Sequence, residues 1–348
     1  MKRITDRCCS GNSKSCCCAS TPKAIPVSTK LSTKDILDSW KARWGINRMN
    51  YKVDPGLYSV GQPDSNSPIM VTANYKMSFD ALRKELSDIS AWILVLDTKG
   101  VNVWCAAGKG TFGTEELIKR IDSAGLSEVT TNRTLILPQL GAVGVSAHEV
   151  LKRSGFKVVY GPVRAEDVPK FLENGMEADK EMRTVQFTFA DRTVLTPIEI
   201  VGAIKPSLMI FGTMFLLNLV GLSRFTGTDV FSYIGAVLTG SVLVPMLLPW
   251  IPGRAFAFKG WLMGLLWAVS VVMINEYFSS IDHGILTSIA YLLILPSVSA
   301  YGAMNFTGCS TYTSFSGVIK EMKISIPVIA VSIVLGVILL IAGHLLSI

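Results

Sequence analysis

The sequence predicts an α/β domain followed by an all-α transmembrane domain of five helices. Two observations predict the two parts. Between residues 69 and 189, short apolar runs alternate with amphipathic stretches, and after Pro197 long apolar segments take over. A third observation supports the division: a chain of 348 residues with 49% hydrophobic residues is too long and too apolar for one soluble domain.

The first segment, residues 1–45, is predicted to be a flexible, cysteine-rich tail. It is rich in Ser, Thr, Lys and Cys and has no sustained apolar periodicity, so it would bury too little surface to offset the entropy of ordering. Its first residues lack the apolar segment that a secretory signal peptide requires. The domain that follows is therefore expected in the cytoplasm. Residues 54–68, which contain Pro and Gly, are expected to form turns.

The α/β domain is predicted over residues 46–195. Its strands and helices alternate, as in a Rossmann-like sheet, at residues 69–73, 79–89, 92–96, 114–124, 134–137, 147–154, 157–160, 167–174 and 184–189. Ligands of such folds bind beyond the carboxyl ends of the strands. The loops at those ends, residues 72–76, 97–113, 138–145 and 161–164, are therefore expected to hold one large ligand.

The transmembrane domain is predicted over residues 196–348. Its apolar segments lie at about 206–223, 230–250, 256–275, 284–304 and 325–346, each close to the ~20 residues that span a bilayer. Most Lys and Arg residues of the loops fall on one side, which predicts a cytoplasmic α/β domain and an outside C-terminus in the cytoplasmic membrane. The net charge of +7 is explained by this orientation rather than by nucleic acid, because no aromatic and basic stripe is present.

Cys105 is the candidate for chemistry. It follows an apolar stretch and precedes a Gly-rich bend, and the small residues after it would let a flat ligand approach the backbone. A phosphate loop is excluded, because Val103 stands where its first Gly is required and Gly110 where it needs Ser or Thr. A Cys–His nucleophile with His148 and a buried, inert cysteine both remain open on the residues alone.

The segment around Cys105 resembles the signature of the HgcA family, the membrane-bound corrinoid proteins of microbial mercury methylation. The resemblance rests on Asn102, Val103, Trp104, Cys105, Ala106, Ala107, Gly108 and Lys109, on residues 71–76 and 137–142, and on the order of the two domains. It implies a corrinoid cofactor, with Cys105 as the catalytic residue and axial cobalt ligand. It also implies that the other residues of the signature, with Thr72, Gln139 and Gly141, contact the corrinoid.

The resemblance further implies a methyltransferase. Cobalt would accept a methyl group from a methyl-pterin donor, and methyl-cobalt(III) would pass it to inorganic Hg(II). A thiolate ligand suits this step, because it pushes electron density toward the group on the opposite face of the metal. The cysteines of the chain do not show the spacing that binds an iron-sulfur cluster in ferredoxins. The resemblance therefore implies that a separate ferredoxin-type, HgcB-like iron-sulfur protein would restore cobalt(I).

Two other functions stay open. One is a methyl carrier of the acetyl-CoA pathway, because the α/β domain also resembles the corrinoid domain of corrinoid iron-sulfur proteins. The other is a non-enzymatic membrane protein that binds heavy metals, for which the remaining cysteines are soft ligands: Cys8, Cys9, Cys16, Cys17, Cys18 and Cys309.

Overall fold

A computed structural model describes residues 24–222, 225–275, 284–309 and 315–346. Within these ranges the chain contacts divide it into two compact units. One contains residues 24–32 and Tyr51–Arg183, and the other contains Thr33–Asn50 and residues 184–346. The tail cysteines at residues 8–18, Arg224 and the loop before Gly284 lie outside the described residues.

The first unit is built on a mixed sheet to which the described residues contribute six strands. These are β1 (Ile25–Val27), β2 (Gly56–Val60), β3 (Ile69–Ala73), β4 (Ala91–Leu96), β5 (Thr134–Leu137) and β6 (Lys157–Tyr160), in the order β1-β2-β4-β3-β5-β6. The pairing of β2 with β4 is antiparallel, and the other pairings are parallel. The predicted α/β fold class is confirmed.

Helices cover both faces of this sheet. The first helix of the chain, α1 (Thr33–Arg43), belongs to the other unit; the helices of the sheet unit are α2 (Lys76–Lys84), α3 (Val103–Gly108), α4 (Thr114–Ser123), α5 (Leu126–Val129), α6 (Ala147–Ser154) and α7 (Val168–Glu173). Every residue of β3 is buried, as expected of a strand that is covered on both faces. One core contains Leu117 and Ile121 of α4, and the other contains Phe79 of α2 and Phe171 of α7.

Two sequence predictions for this part of the chain are wrong. The tail does not extend to residue 45, because residues 25–27 form an edge strand and residues 33–43 form a helix. Residues 54–68 contain the expected turns and also the strand β2. No strand forms at residues 184–189; this segment leads into the next helix, where Thr188 accepts a hydrogen bond from the backbone N–H of Asp191.

The second unit is helical, and the described residues contain five helical segments that are long and apolar enough to cross a membrane. The helices are α8 (Phe189–Leu219), α9 (Gly227–Leu238), α10 (Val244–Leu247), α11 (Phe256–Ile274), α12 (Gly284–Asn305) and α13 (Phe315–Leu346), with a π-helical segment at Thr239–Leu243 joining α9 to α10. The prediction of five spans is confirmed, and this is a membrane protein.

The boundaries of two spans differ from the prediction. The first span begins at Phe189 rather than near residue 206, and the last at about residue 315 rather than 325. Helix α8 continues through Pro197 and Pro206. The division of the chain accordingly falls at residues 183–184 rather than 195–196.

Small residues bring α11 and α12 close together. A Cβ atom on Gly260 would lie 2.6 Å from the carbonyl oxygen of Ser299, and one on Gly264 would lie 2.8 Å from Cα of Pro296. Neither position could take a larger side chain without moving the helices. Such close approach is typical of helix packing in membranes, where dispersion contacts replace the hydrophobic effect.

Candidate functional site

Loops at the carboxyl ends of β3, β4, β5 and β6 meet around a cavity of about 300 Å³. Thr72, Asn102, Val103 and Trp104 line it, together with Pro138 and Arg164 from the loops after β5 and β6. The predicted loops thus come together at one edge of the sheet. Arg164, which the sequence analysis missed, brings a positive charge to the cavity lining; its guanidinium also contacts Glu166 at 3.2 Å.

Cys105 lies in the first turn of the short helix α3, within the segment 97–113 that was expected to be a loop. Asn102 precedes this helix, and its side-chain oxygen accepts a hydrogen bond from the backbone N–H of Cys105 at 2.9 Å. This is an N-cap, which satisfies a backbone donor that the helix itself leaves unpaired. Asn102 therefore has a structural role that fixes the backbone of Cys105.

The helix has one exposed and one buried face. Cys105 is a free, exposed cysteine, and Trp104 beside it is 41% exposed. Val103, Ala106 and Ala107 are buried in the core of the α/β unit. The thiol is therefore available to a ligand, and a cysteine buried as a small hydrophobic residue is excluded.

The loop between β4 and α3 is held by Asn74, a buried residue immediately after β3. Its side-chain oxygen accepts hydrogen bonds from the backbone N–H groups of Thr98 (3.1 Å) and Gly100 (2.9 Å), and it lies 2.9 Å from the Thr98 hydroxyl. Its amide nitrogen donates to Asp97 at 3.3 Å. Asn74 belongs to a segment that the resemblance singled out, but nothing in the sequence indicated this role.

Asp97 completes the same turn. Its carboxylate accepts hydrogen bonds from the backbone N–H of Lys99 at 3.1 Å and from the Lys99 ammonium at 2.7 Å. The bond from the Lys99 side chain is the main cause of a pKa below the usual range for Asp97. Lys99 has a left-handed backbone (φ 59°), and Gly100 follows at φ 74°, so the turn needs these contacts to stabilise it.

The C-terminal end of α3 packs against the turn that follows β5. A Cβ atom on Gly144 would lie 2.1 Å from the carbonyl oxygen of Phe112 and 3.1 Å from Cα of Ala107. A Cβ atom on Gly141 would lie 2.6 Å from the buried ring of Phe112. Ala107 therefore lies against this turn of the protein itself, and Ala106 is fully buried as well. Gly108 is exposed, and close approach of a flat ligand to its backbone stays a prediction.

The remaining predicted site residues take different places. Thr72 is buried within β3 rather than in a loop, and it lines the cavity. Gln139 and Gly141 form a 3₁₀ turn after β5 and are not among the residues that line it. Lys109 follows the C-terminus of α3 and is exposed, as is Gly108. Across the residues that the structure describes, no group of three or more His, Cys, Asp or Glu side chains is arranged to hold a metal ion.

The α/β unit is similar to known subunits of acetyl-CoA-metabolising complexes. Residues 43–172 match the family model described as the CO dehydrogenase/acetyl-CoA synthase delta subunit. Among curated proteins, the chain is 32% identical over 124 residues to the acetyl-CoA decarbonylase/synthase complex subunit gamma of Methanopyrus kandleri, which covers 35% of this chain and 26% of that protein.

Two further relatives give the same result. The gamma subunit of Methanocaldococcus jannaschii is 32% identical over 127 residues (36% of this chain, 26% of that protein), and gamma subunit 2 of Methanosarcina thermophila is 30% identical over 125 residues (35% and 26%). The chain thus spans about a quarter of the length of these relatives. The likeness is to one part of each relative, and on this chain it covers the unit that contains Cys105 and the cavity.

Proposed function

We propose that this chain is a membrane-bound corrinoid protein in which the thiolate of Cys105 is the axial cobalt ligand, and that it transfers a methyl group to inorganic Hg(II). The observation that carries the proposal is the exposed thiol on α3, beside a cavity at the carboxyl ends of the strands. The signature around Cys105 supports Hg(II) as the acceptor. The similarity to the complex subunits supports a corrinoid methyl-transfer protein.

The residues present fit a corrinoid. A thiolate is a soft, strongly donating ligand for cobalt, and Cys105 presents it on an exposed face where a large macrocycle is not excluded. A cavity of about 300 Å³ is too small for the macrocycle but has room for a smaller group attached to it. Thr72, Asn102 and Arg164 offer that group a hydroxyl, an amide and a positive charge.

When bound, the corrinoid supplies a cobalt that accepts a methyl group and releases it again. The protein's part would be to supply the soft sulfur ligand of Cys105 to that metal. Hg(II) is an electrophile, so it takes the methyl group together with its bonding electrons. A thiolate at Cys105 favours this form of release, and Asn102 with Asn74 keep the backbone of Cys105 in place.

A methyl carrier of the acetyl-CoA pathway is the second candidate. The matched family model and the three relatives favour it, because all are subunits of acetyl-CoA synthase or decarbonylase complexes. The five candidate spans and the signature around Cys105 favour Hg(II) as acceptor instead. The two candidates share the corrinoid and differ in the molecule that receives the methyl group.

We also propose how the chain is supplied and oriented. The α/β domain lies in the cytoplasm, where a methyl-pterin donor provides the methyl group and a separate ferredoxin-type protein provides electrons. The basic residues on the cytoplasmic side of the spans support the orientation. The resemblance supports the two partners.

Replacement of Cys105 by Ala tests the proposal. The full chain is purified in detergent without oxygen and loaded with a corrinoid; the absorption spectrum reports the axial ligand, and labelled methyl-pterin with HgCl₂ reports transfer. We expect Cys105→Ala to lose the thiolate spectrum and to lower methylmercury formation at least about 100-fold, by analogy with the loss of other essential ligands. Cys309→Ala is the matched control and should retain both.

Full methylmercury formation by Cys105→Ala would overturn the role of the thiolate. Acetyl-CoA synthase replaces HgCl₂ in a second assay. Labelled acetyl-CoA without methylmercury would overturn Hg(II) as acceptor and support the methyl carrier.

A further inference from the structure

Helix α1 exposes its apolar side chains. Ile36, Leu37, Trp40 and Trp44 are 48%, 55%, 60% and 40% exposed, and residues 36, 40 and 44 share one face because they are four apart. In a helix on the surface of a soluble domain this face would be turned inward. The exposed apolar stripe therefore needs a partner that is not water.

The opposite face of α1 is the one that packs on the protein. Ala42 is fully buried, and Gly45, just beyond the helix, lies against α8. A Cβ atom on Gly45 would lie 3.3 Å from Cδ1 of Ile198 and 3.5 Å from Cγ1 of Val201. The contact is thus with one of the candidate membrane spans, within the same compact unit.

Helix α8, on which the chain just beyond α1 packs, also exposes apolar side chains. Ile204, Leu208 and Met209 are half exposed or more, which is expected of side chains that face lipid. Because Gly45 lies against this candidate span, α1 is held next to a helix that lipid surrounds. A bilayer is therefore the nearest apolar medium for that face.

The charged side chains of α1 exclude a position in the hydrocarbon core of the bilayer and favour the headgroup region. Lys41 and Arg43 flank the apolar stripe on its two sides, and Lys34 lies beside Lys41. Asp35 and Asp38 lie on the opposite face with Ala42, and Asp38 pairs with Lys41 at 3.4 Å. A helix with a Trp-rich apolar face and basic residues beside it lies in the plane of the interface and is attracted to anionic lipid.

We propose that α1 is an interfacial helix that binds anionic lipid through the face of Ile36, Leu37, Trp40 and Trp44. This surface is separate from the site of Cys105. It gives the chain a second kind of membrane contact beside its spans. A protein that docks on the same stripe is the alternative, and the experiment distinguishes the two.

Site-specific photocrosslinking of the full chain tests the proposal. A benzoylphenylalanine residue replaces Leu37 in one variant and Asp38, on the polar face of the same helix, in a control; Leu208 on α8 is the positive control for lipid. After illumination of native membranes, mass spectrometry identifies the adducts. We expect lipid adducts at positions 37 and 208 and at least about threefold fewer at position 38.

The other outcomes would overturn the proposal. A protein adduct at position 37 would make the stripe a protein-docking surface, and the absence of an adduct there would place it in water. In nanodiscs, replacing phosphatidylglycerol by phosphatidylcholine should lower the lipid adduct at position 37 at least about threefold, because basic residues contribute to binding only with anionic lipid. An equal yield in both lipids would overturn the preference for anionic lipid.

Discussion

Asn74 links β3 to the loop that leads to Cys105. Its buried side-chain oxygen accepts the backbone N–H of Gly100, and it shares the N–H of Thr98 with the carbonyl oxygen of Leu96. Buried donors that lose their acceptor cost about 1–3 kcal/mol each. A residue far from Cys105 in sequence thereby sets the path of the chain to it, and we treat Asn74 as a positioning residue.

We expect Asn74→Ala to destabilise this loop by about 1–3 kcal/mol, because the Gly100 N–H loses its acceptor, whereas the Thr98 N–H keeps the Leu96 carbonyl. Hydrogen exchange of the full chain measures the effect: exchange at Gly100 should accelerate about 5- to 150-fold. The corrinoid spectrum of the loaded protein should also lose its thiolate feature in part. Asn132→Ala is the control, since Asn132 bonds to Asn66 and Ser67 away from this loop; an unchanged rate in Asn74→Ala would contradict the role.

The residues of the candidate site were only partly predictable. Cys105 stood out because the signature around it is specific, and its exposure agrees with a role in ligation. Asn102 was expected to contact the cofactor, and its role as an N-cap was not predicted. An N-cap can be recognised only when the helix that it caps has been recognised. Asn74 and Arg164 could not be found at all, because their roles depend on contacts or a cavity formed by distant segments.

The helix α3 shows how an element can be hidden in the sequence. Its first residues, Val103 and Trp104, favour strands, and it has only six residues, so no helical period is visible. Its position is fixed by the turn after β5, where Gly144 lies against Phe112 and Ala107. Tertiary packing thus decides the conformation here.

We expect Gly144→Ala to destabilise the α/β unit by about 1–3 kcal/mol, because its Cβ would lie 2.1 Å from a backbone oxygen that cannot move away freely. Gly108→Ala is the matched control: a Cβ there meets nothing within 4 Å, and Ala is the better helix former, so stability should not fall. Hydrogen exchange of α3 measures both. A loss of stability in Gly108→Ala as large as that in Gly144→Ala would contradict this account of the packing.

The elements that sequence predicted well are those with a long, regular pattern. The strands β3 to β6 are short apolar runs, of which β3 is buried throughout, and the five spans are long enough to be recognised by composition. The strands β1 and β2 escaped because β1 has three residues including Pro26, and β2 begins at Gly56 directly after Pro55. The start of α8 escaped because the long apolar run begins only after Pro197, inside the helix.

At the scale of the whole molecule, the two units have different relations to known proteins. The similarity to the acetyl-CoA complex subunits ends at residue 172, before the first span begins at Phe189. The membrane unit is therefore outside what the comparisons explain. Its orientation decides on which side of the membrane the thiol of Cys105 meets its substrates, so this property of the whole chain bears directly on the function.

We expect the C-terminus to lie outside and the loop between α10 and α11 to lie in the cytoplasm. The basic residues on the predicted inner side lie between helices (Arg183 and Arg254) or within them (Arg192 and Lys205 in α8, Lys259 in α11, Lys320 and Lys323 in α13), against Arg224 on the outer side. Lys and Arg are retained on the cytoplasmic side during insertion, and five spans put the two ends of the membrane unit on opposite sides.

Fusions report this topology. Alkaline phosphatase attached after Ile348 should be active and green fluorescent protein at the same point dark, whereas fusions at Gly253, between α10 and α11, should give the reverse. Active phosphatase at Gly253 together with dark green fluorescent protein after Ile348 would put both points outside. That outcome would contradict the three spans between them. Fluorescence at Ile348 with active phosphatase at Gly253 would instead invert the chain and put Cys105 outside the cell, where a cytoplasmic methyl-pterin donor and reductant cannot reach it.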